Sequence, residues 1–176
     1  MADGQYININ EYILYLRKNF RRSNNLKTGL MYSYQYMFNK DPKFQKADYD
    51  KVKFYDFCPL TFVFDINSDT DTFFGLNFHH LPIKARRLWL TRVMKISKIQ
   101  FRKPGANRIP FLMYHQLKSM FRKSTFGVRQ YKWDRIKDMR IIPNERWEEV
   151  IEYYSRTYYG VTLRAVQNKY RMFIPK

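Results

Sequence analysis

The chain has 176 residues and carries 33 Lys and Arg against 15 Asp and Glu, a formal charge of +18. That length can hold one domain with a real core. A hydrophobic content of 45% argues for folding rather than disorder, and a single cysteine excludes an intrachain disulfide framework and fits a reducing compartment. So unbalanced a charge repels itself and calls for a polyanionic partner, with nucleic acid the first candidate and an anionic membrane surface the second.

No apolar run reaches the ~18 residues of a spanning helix. The opening MADGQYININ has no basic head followed by an apolar stretch, so no secretory signal is expected. Asn8 or Asn10 is placed to cap a helix running to about Arg22. Ile9, Ile13, Leu16 and Phe20 give it one apolar stripe, flanked by Tyr12 and Tyr15. Arg17, Lys18, Arg21 and Arg22 charge its last turns, as a solvated helix end or as phosphate contacts. Ser23-Asn24-Asn25 breaks the helix.

Leu30 to Phe38 alternates, with Tyr32, Tyr34 and Tyr36 on one parity, which predicts a strand. An inner sheet face is the expected role for these tyrosines; a base-stacking platform is the alternative. Asn39 to Lys53 reads as a polar loop. Phe54–Phe57 and Leu60–Ile66 read as extended pieces split by Pro59, with Cys58 a buried thiol. Asn67 to Asp71 predicts a hairpin loop back to a strand at Phe73. Gly75 inside that apolar run signals a bulge or a close backbone approach, and Pro82 suits the first turn of the next helix. Of His79 and His80, one is expected buried and one exposed.

A helix is predicted from Ile83 to about Ile96, with Ala85, Leu88, Trp89, Leu90, Val93 and Ile96 inward. Lys103 to Asn107 is a loop, and Pro110 opens another helix to about Arg122. Phe126 to Trp133 fits helix or strand, and Ile141-Ile142 a short strand. Asn144 caps a helix to about Tyr154 with Trp147, Val150 and Ile151 inward; Thr162 caps a last basic helix.

Catalytic and metal signatures are sparse. The glycines are scattered, His79-His80 lacks zinc spacing, and no cofactor is expected. Asp65 to Asp71 begins like a calcium loop but lacks the sixth-position glycine and has Leu76 where the last acid belongs. A capped hairpin is the simpler reading, and magnesium-dependent nuclease chemistry on these acids is the weaker one. The strong signal is electrostatic: from Thr72 to Trp133 there is no acid, while fourteen Lys and Arg occur. Arg86, Arg87, Arg92, Lys95, Arg102, Lys103, Arg122, Lys123 and Arg129 are the expected phosphate contacts. Docking on acidic protein neighbours would use the same surface. Membrane adsorption is disfavoured because the basic helices carry aromatic faces that a core needs.

Four segments carry a family resemblance: Leu30-Met31-Tyr32-Ser33-Tyr34-Gln35-Tyr36; Phe54-Tyr55-Asp56-Phe57-Cys58-Pro59-Leu60-Thr61-Phe62; Phe74 to Pro82 with Gly75-Leu76-Asn77-Phe78-His79-His80-Leu81-Pro82; and Ile141 to Glu148 with Ile142-Pro143 and Trp147-Glu148. In this order they resemble the tailed-bacteriophage DNA end protector family, over roughly residues 29–170. His80 departs from the Tyr often found there. The resemblance implies a virion component acting at genome ends or the portal, with no catalytic residues to carry over. Gly75, Leu76, Asn77, His79, Leu81 and Pro82 then form a structural motif.

The expected fold is α+β: one N-terminal helix (1–28), a small antiparallel sheet, open or barrel-like, over about 29–78 within a sheet core of 29–82, and a basic helical part (83–176) of the same single domain. The expected protein is not an enzyme. It is a virion protein, present in the host cytoplasm during assembly, that binds double-stranded DNA without sequence preference and docks on portal, neck or tail components, in one or several copies. The alternative is a structural subunit of the neck, tail or baseplate whose basic surface meets other virion proteins.

Overall fold

The computed structural model describes residues 6–37, 55–100, 127–155 and 158–159. Strand β1 (Tyr6–Ile7) leads into helix α1 (Ile9–Asn19). Asn8 caps the helix by accepting from Asn10 N, and Glu11 reaches back to Asn8 N at 3.1 Å, a capping box that fixes the start. The buried face runs through Tyr12, Leu16 and Phe20, with Ile9 and Ile13 only half-buried. Tyr12, expected at the flank, is therefore the centre of the stripe: the helix is rotated so that the Tyr12 ring fills the core. Helix α1 also stops at Asn19, short of the expected Arg22, because Phe20 turns extended and Arg22 bridges to Arg140.

Five antiparallel strands form the main sheet: β2 (Met31–Tyr36), β4 (Leu60–Asn67), β5 (Thr72–Asn77), β6 (Val128–Lys132) and β7 (Ile136–Ile142), in the order β6-β5-β4-β2-β7. Both edge strands come from beyond residue 83, so the partition into a sheet within 29–82 and a helical remainder does not hold. Residues 128–132, open between helix and strand, pair with β5, and the expected Ile141-Ile142 strand begins at Ile136. Short strands β3 (Tyr55–Asp56) and β9 (Tyr158–Tyr159) pair antiparallel, and β1 pairs parallel with β8 (Tyr154–Ser155).

The main sheet is rolled. Strands β2 and β6 are separated by β4 and β5, a lateral distance of about 14 Å if flat. Yet the Tyr34 and Tyr131 rings lie 5.5 Å apart, and Tyr36 and Tyr131 5.1 Å. Only three residues, Trp133–Arg135, join the two edge strands. Such a link reaches about 14 Å, less than the ~19 Å width of a flat five-stranded sheet. The roll stops short of a barrel, because β6 and β7 form no ladder. The concave face packs Tyr32, Tyr34, Tyr36, Val63, Phe73, Tyr131 and Met139 together. The tyrosine parity is thus an inner face, and Tyr34 Oη satisfies its polarity on Thr61 Oγ1 at 3.1 Å.

The opposite face buries Met31, Leu60, Phe62, Phe64, Leu76 and Ile142 under α1, helix α2 (Ile83–Gln100) and helix α3 (Trp147–Val150). In α2, Ala85, Trp89 and Leu90 point inward, but Leu88 is 40% exposed, contrary to expectation, because it lies off the arc they define. The expected helix from Asn144 is shorter than its caps suggested: Asn144–Arg146 is a 3₁₀ turn, α3 ends at Val150, and the chain becomes extended again at Tyr154. The predicted loop at 39–53 and the helices opened by Pro110 and Thr162 lie outside the described residues.

Candidate functional site: a buried polar node and a basic groove

The segments that carry the family resemblance meet inside the molecule. Asp56, buried, accepts from Cys58 N at 3.1 Å, Asn77 Nδ2 at 2.9 Å and His79 Nδ1 at 3.0 Å. Asn77 Oδ1 accepts from His79 N at 2.9 Å, closing a ring of hydrogen bonds among the three residues, while His79 Nε2 is buried without a partner among the described residues. Both histidines are buried, which corrects the expectation that one would be exposed. A short 3₁₀ turn, Phe78–His80, tucks both rings beneath the sheet. Burial, with the Arg129 charge second, lowers His80 to about 3. Burial, with Asp56 second, pushes the Cys58 thiol up to about 12. These groups specify packing.

Arg86 belongs to the same node. It is 0% exposed and donates from Nε to Leu81 O at 2.8 Å and from Nη1 to Ile151 O at 2.8 Å and Tyr153 O at 2.9 Å. A guanidinium so enclosed cannot reach a phosphate, so Arg86 leaves the expected contact set and becomes the pin between α2 and the chain after α3. Arg87 is solvent-facing but holds Glu152 through two 2.6 Å hydrogen bonds. Arg92 and Lys95 lie on α2 with side chains outside the described set. Arg129 is half-buried on β6, opposite Gly75. Arg102, Lys103, Arg122 and Lys123 fall outside the described residues.

The Gly75–Pro82 motif is accounted for by packing. A Cβ on Gly75 would sit 2.2 Å from Thr61 Cγ2 and 2.9 Å from Phe62 O, so the glycine marks a close approach of β4. Leu76 and Leu81 are core, and Pro82 O accepts from Ala85 N and Arg86 N at the start of α2. The Asp65–Asp71 run is the β4–β5 turn, with Asn67 Oδ1 accepting from Asp69 N and Thr70 N. Among the described residues no three His, Cys, Asp or Glu side chains gather to hold a metal ion. Among them, too, no helix is long and apolar enough to cross a membrane.

A basic surface forms where α1 runs out beside β7. Ser23 N donates to Met139 O at 2.9 Å and Ile141 N to Arg21 O at 3.2 Å, so residues 21–23 lie along the β7 edge and cover it. In β7, two residues oppose one of β2 between the Ser33–Arg140 and Gln35–Lys137 pairs, and Asp138 in this bulge has φ of 50°. The bulge aims the Asp138 carboxylate at Arg17 Nε and Arg140 Nη2, each at 2.6 Å. Burial alone would raise Asp138, but the two guanidinium contacts outweigh it and hold the carboxyl below its usual value. Two adjoining grooves result. One, of about 750 Å³, is lined by Arg17, Arg22, Gln35, Trp133, Lys137, Asp138 and Arg140 among others; the second, of about 530 Å³, by Arg21, Arg22, Lys27 and Tyr32 among others. Asp138 is the only acid in either lining. Arg21, Arg22, Lys27 and Lys137 make no ion pair among the described residues.

Arg17, Arg21 and Arg22 were visible as a charged helix end. Lys27, Trp133, Lys137 and Arg140 were not, because only the pairing of residues 21–23 with β7 brings them to one place. Comparison of the chain with known protein families, with curated proteins and with solved structures finds no match.

Proposed function

We propose that this chain is a tailed-phage virion protein that holds double-stranded DNA by its phosphate backbone, at or near genome ends in the portal region, without catalysis. The observation that carries this reading is the double groove, where six cations face one acid. Four of them are unpaired among the described residues, which is more than a solvated surface needs for solubility. The total charge of +18 points the same way. Phosphate contacts of this kind fix position without reading sequence. Of the described residues in the acid-free interval only Trp133, at its end, lines the groove; Arg92, Lys95, Arg102, Lys103, Arg122, Lys123 and Arg129 remain candidate contacts on their charge alone. The four resemblance segments lie in the strands, the buried node and, for the last, the turn and helix α3 that follow β7. What they support is therefore a shared fold, and the virion setting follows from the resemblance alone.

The test is binding of the full chain to a labelled linear duplex, competed with circular DNA, together with exonuclease digestion. The expected result is protection of duplex ends at protein levels that leave most internal duplex free. Equal competition by circular DNA with open ends would remove the end preference and leave general DNA binding. No binding to either form would favour a neck, tail or baseplate subunit docking on acidic virion proteins.

A further inference from the structure

Three tryptophans occur in the chain, and they are placed differently. Trp89 and Trp147 are 1% and 4% exposed and pack on Phe62. Trp133 is 37% exposed and lines the larger groove with Arg17, Arg22, Lys137 and Gln35. Its turn is held on both sides: Trp133 N donates to Asp71 O at 2.9 Å, and Arg135 O accepts from Met37 N at 2.8 Å. An indole carried on a held turn in a cationic groove offers what an unpaired nucleotide binds, an aromatic face beside phosphate partners. Duplex interior bases are already stacked on one another and have no face to offer. A groove of about 750 Å³ lies within the ~300–1,000 Å³ of sites that enclose compact organic ligands.

We infer that the groove takes an unpaired nucleotide, with its base stacked on Trp133 and its neighbouring phosphates on Arg22 and Lys137. This rests on the nucleic-acid reading above and narrows it: the preferred ligand is a single strand or an overhang rather than a blunt duplex. Gln35, in the same lining, presents an amide that can bond a base edge.

The experiment is a tryptophan-fluorescence titration of the full chain with a thymidine oligonucleotide and with an abasic oligonucleotide of equal length. Because Trp89 and Trp147 are buried, quenching by a stacked base reports on Trp133. The expected result is quenching by the thymidine strand and binding without quenching by the abasic one. Trp133→Phe should keep most of the affinity and lose the quench. Trp133→Ala should weaken thymidine-strand binding about 5- to 150-fold and leave abasic binding unchanged. Equal affinity and equal quenching with the two strands would overturn the stacking inference while leaving phosphate binding intact. Unchanged thymidine affinity in Trp133→Ala would overturn it as well. Failure of both strands and of duplex to bind would overturn the nucleic-acid reading itself.

Discussion

Replacing Arg86 separates a structural cation from a DNA contact. In Arg86→Met the side-chain stem is kept and the guanidinium is lost. Four carbonyls, of Leu81, Ile151, Tyr153 and His79, then lose donors now 2.8 to 3.4 Å away, the His79 bond being the longest. Each buried acceptor left without a partner costs about 1–3 kcal/mol. Removing the buried charge recovers part of this, so the low end applies, a net loss of about 3 kcal/mol. For a chain of this size that corresponds to a fall in Tm of about 6–12 °C. Arg86→Lys should also lose stability, because an ammonium cannot reproduce the planar fork. The assay is thermal unfolding followed by circular dichroism, with DNA affinity measured against salt below the transition. A Tm within about 2 °C of the parent, or a salt slope shallower by about 0.9, would refute the reasoning and return Arg86 to the phosphate contacts.

Gly75→Ala forces a methyl against Thr61 Cγ2 and Phe62 O, so a loss of about 1–3 kcal/mol is expected, partly restored by adding Thr61→Ser; a parent-like melting curve for Gly75→Ala would contradict the packing. His80 stays neutral in the fold down to about pH 3 while the unfolded chain protonates near 6.5. Stability should therefore be complete above about pH 6.5 and fall as pH drops toward 3, and denaturant titrations at pH 7 and 5 should show a smaller loss in His80→Asn than in the parent. A divalent-metal chelator should leave Tm unchanged, and a fall in Tm would reveal a metal site.

Much of the fold was legible because its signals are local. The Asn8 cap and the hairpin at Asn67–Asp71 answer to neighbours a few residues away, and the tyrosine alternation of β2 and the glycine inside the apolar run at 75 are patterns within a single strand, although their partners lie on other strands. Residues 128–142 were harder. As edge strands half open to solvent they carry mixed polarity, and Val128–Lys132 lacks the continuous apolar run of β4. The roll of the sheet has no sequence signature; it follows from the three-residue link between opposite edges. Arg86 was misread for a related reason. In sequence it is one cation among fourteen from Thr72 to Trp133, and only the arrival of Ile151 and Tyr153 distinguishes it. The groove is equally non-local, since Arg22 and Lys137 become neighbours through the β7 edge.

The central claim, that the basic surface holds DNA by its phosphates, is tested most directly by the salt dependence of binding to a linear duplex. With about five to eight phosphate contacts, log affinity against log salt should fall with a slope of roughly −5 to −7. In a chain carrying Arg21→Gln, Arg22→Gln and Lys137→Gln the slope should be shallower by about 2.7, with affinity lowered alike for all sequences. A slope near zero in the parent, or an unchanged slope in the triple variant, would contradict the account.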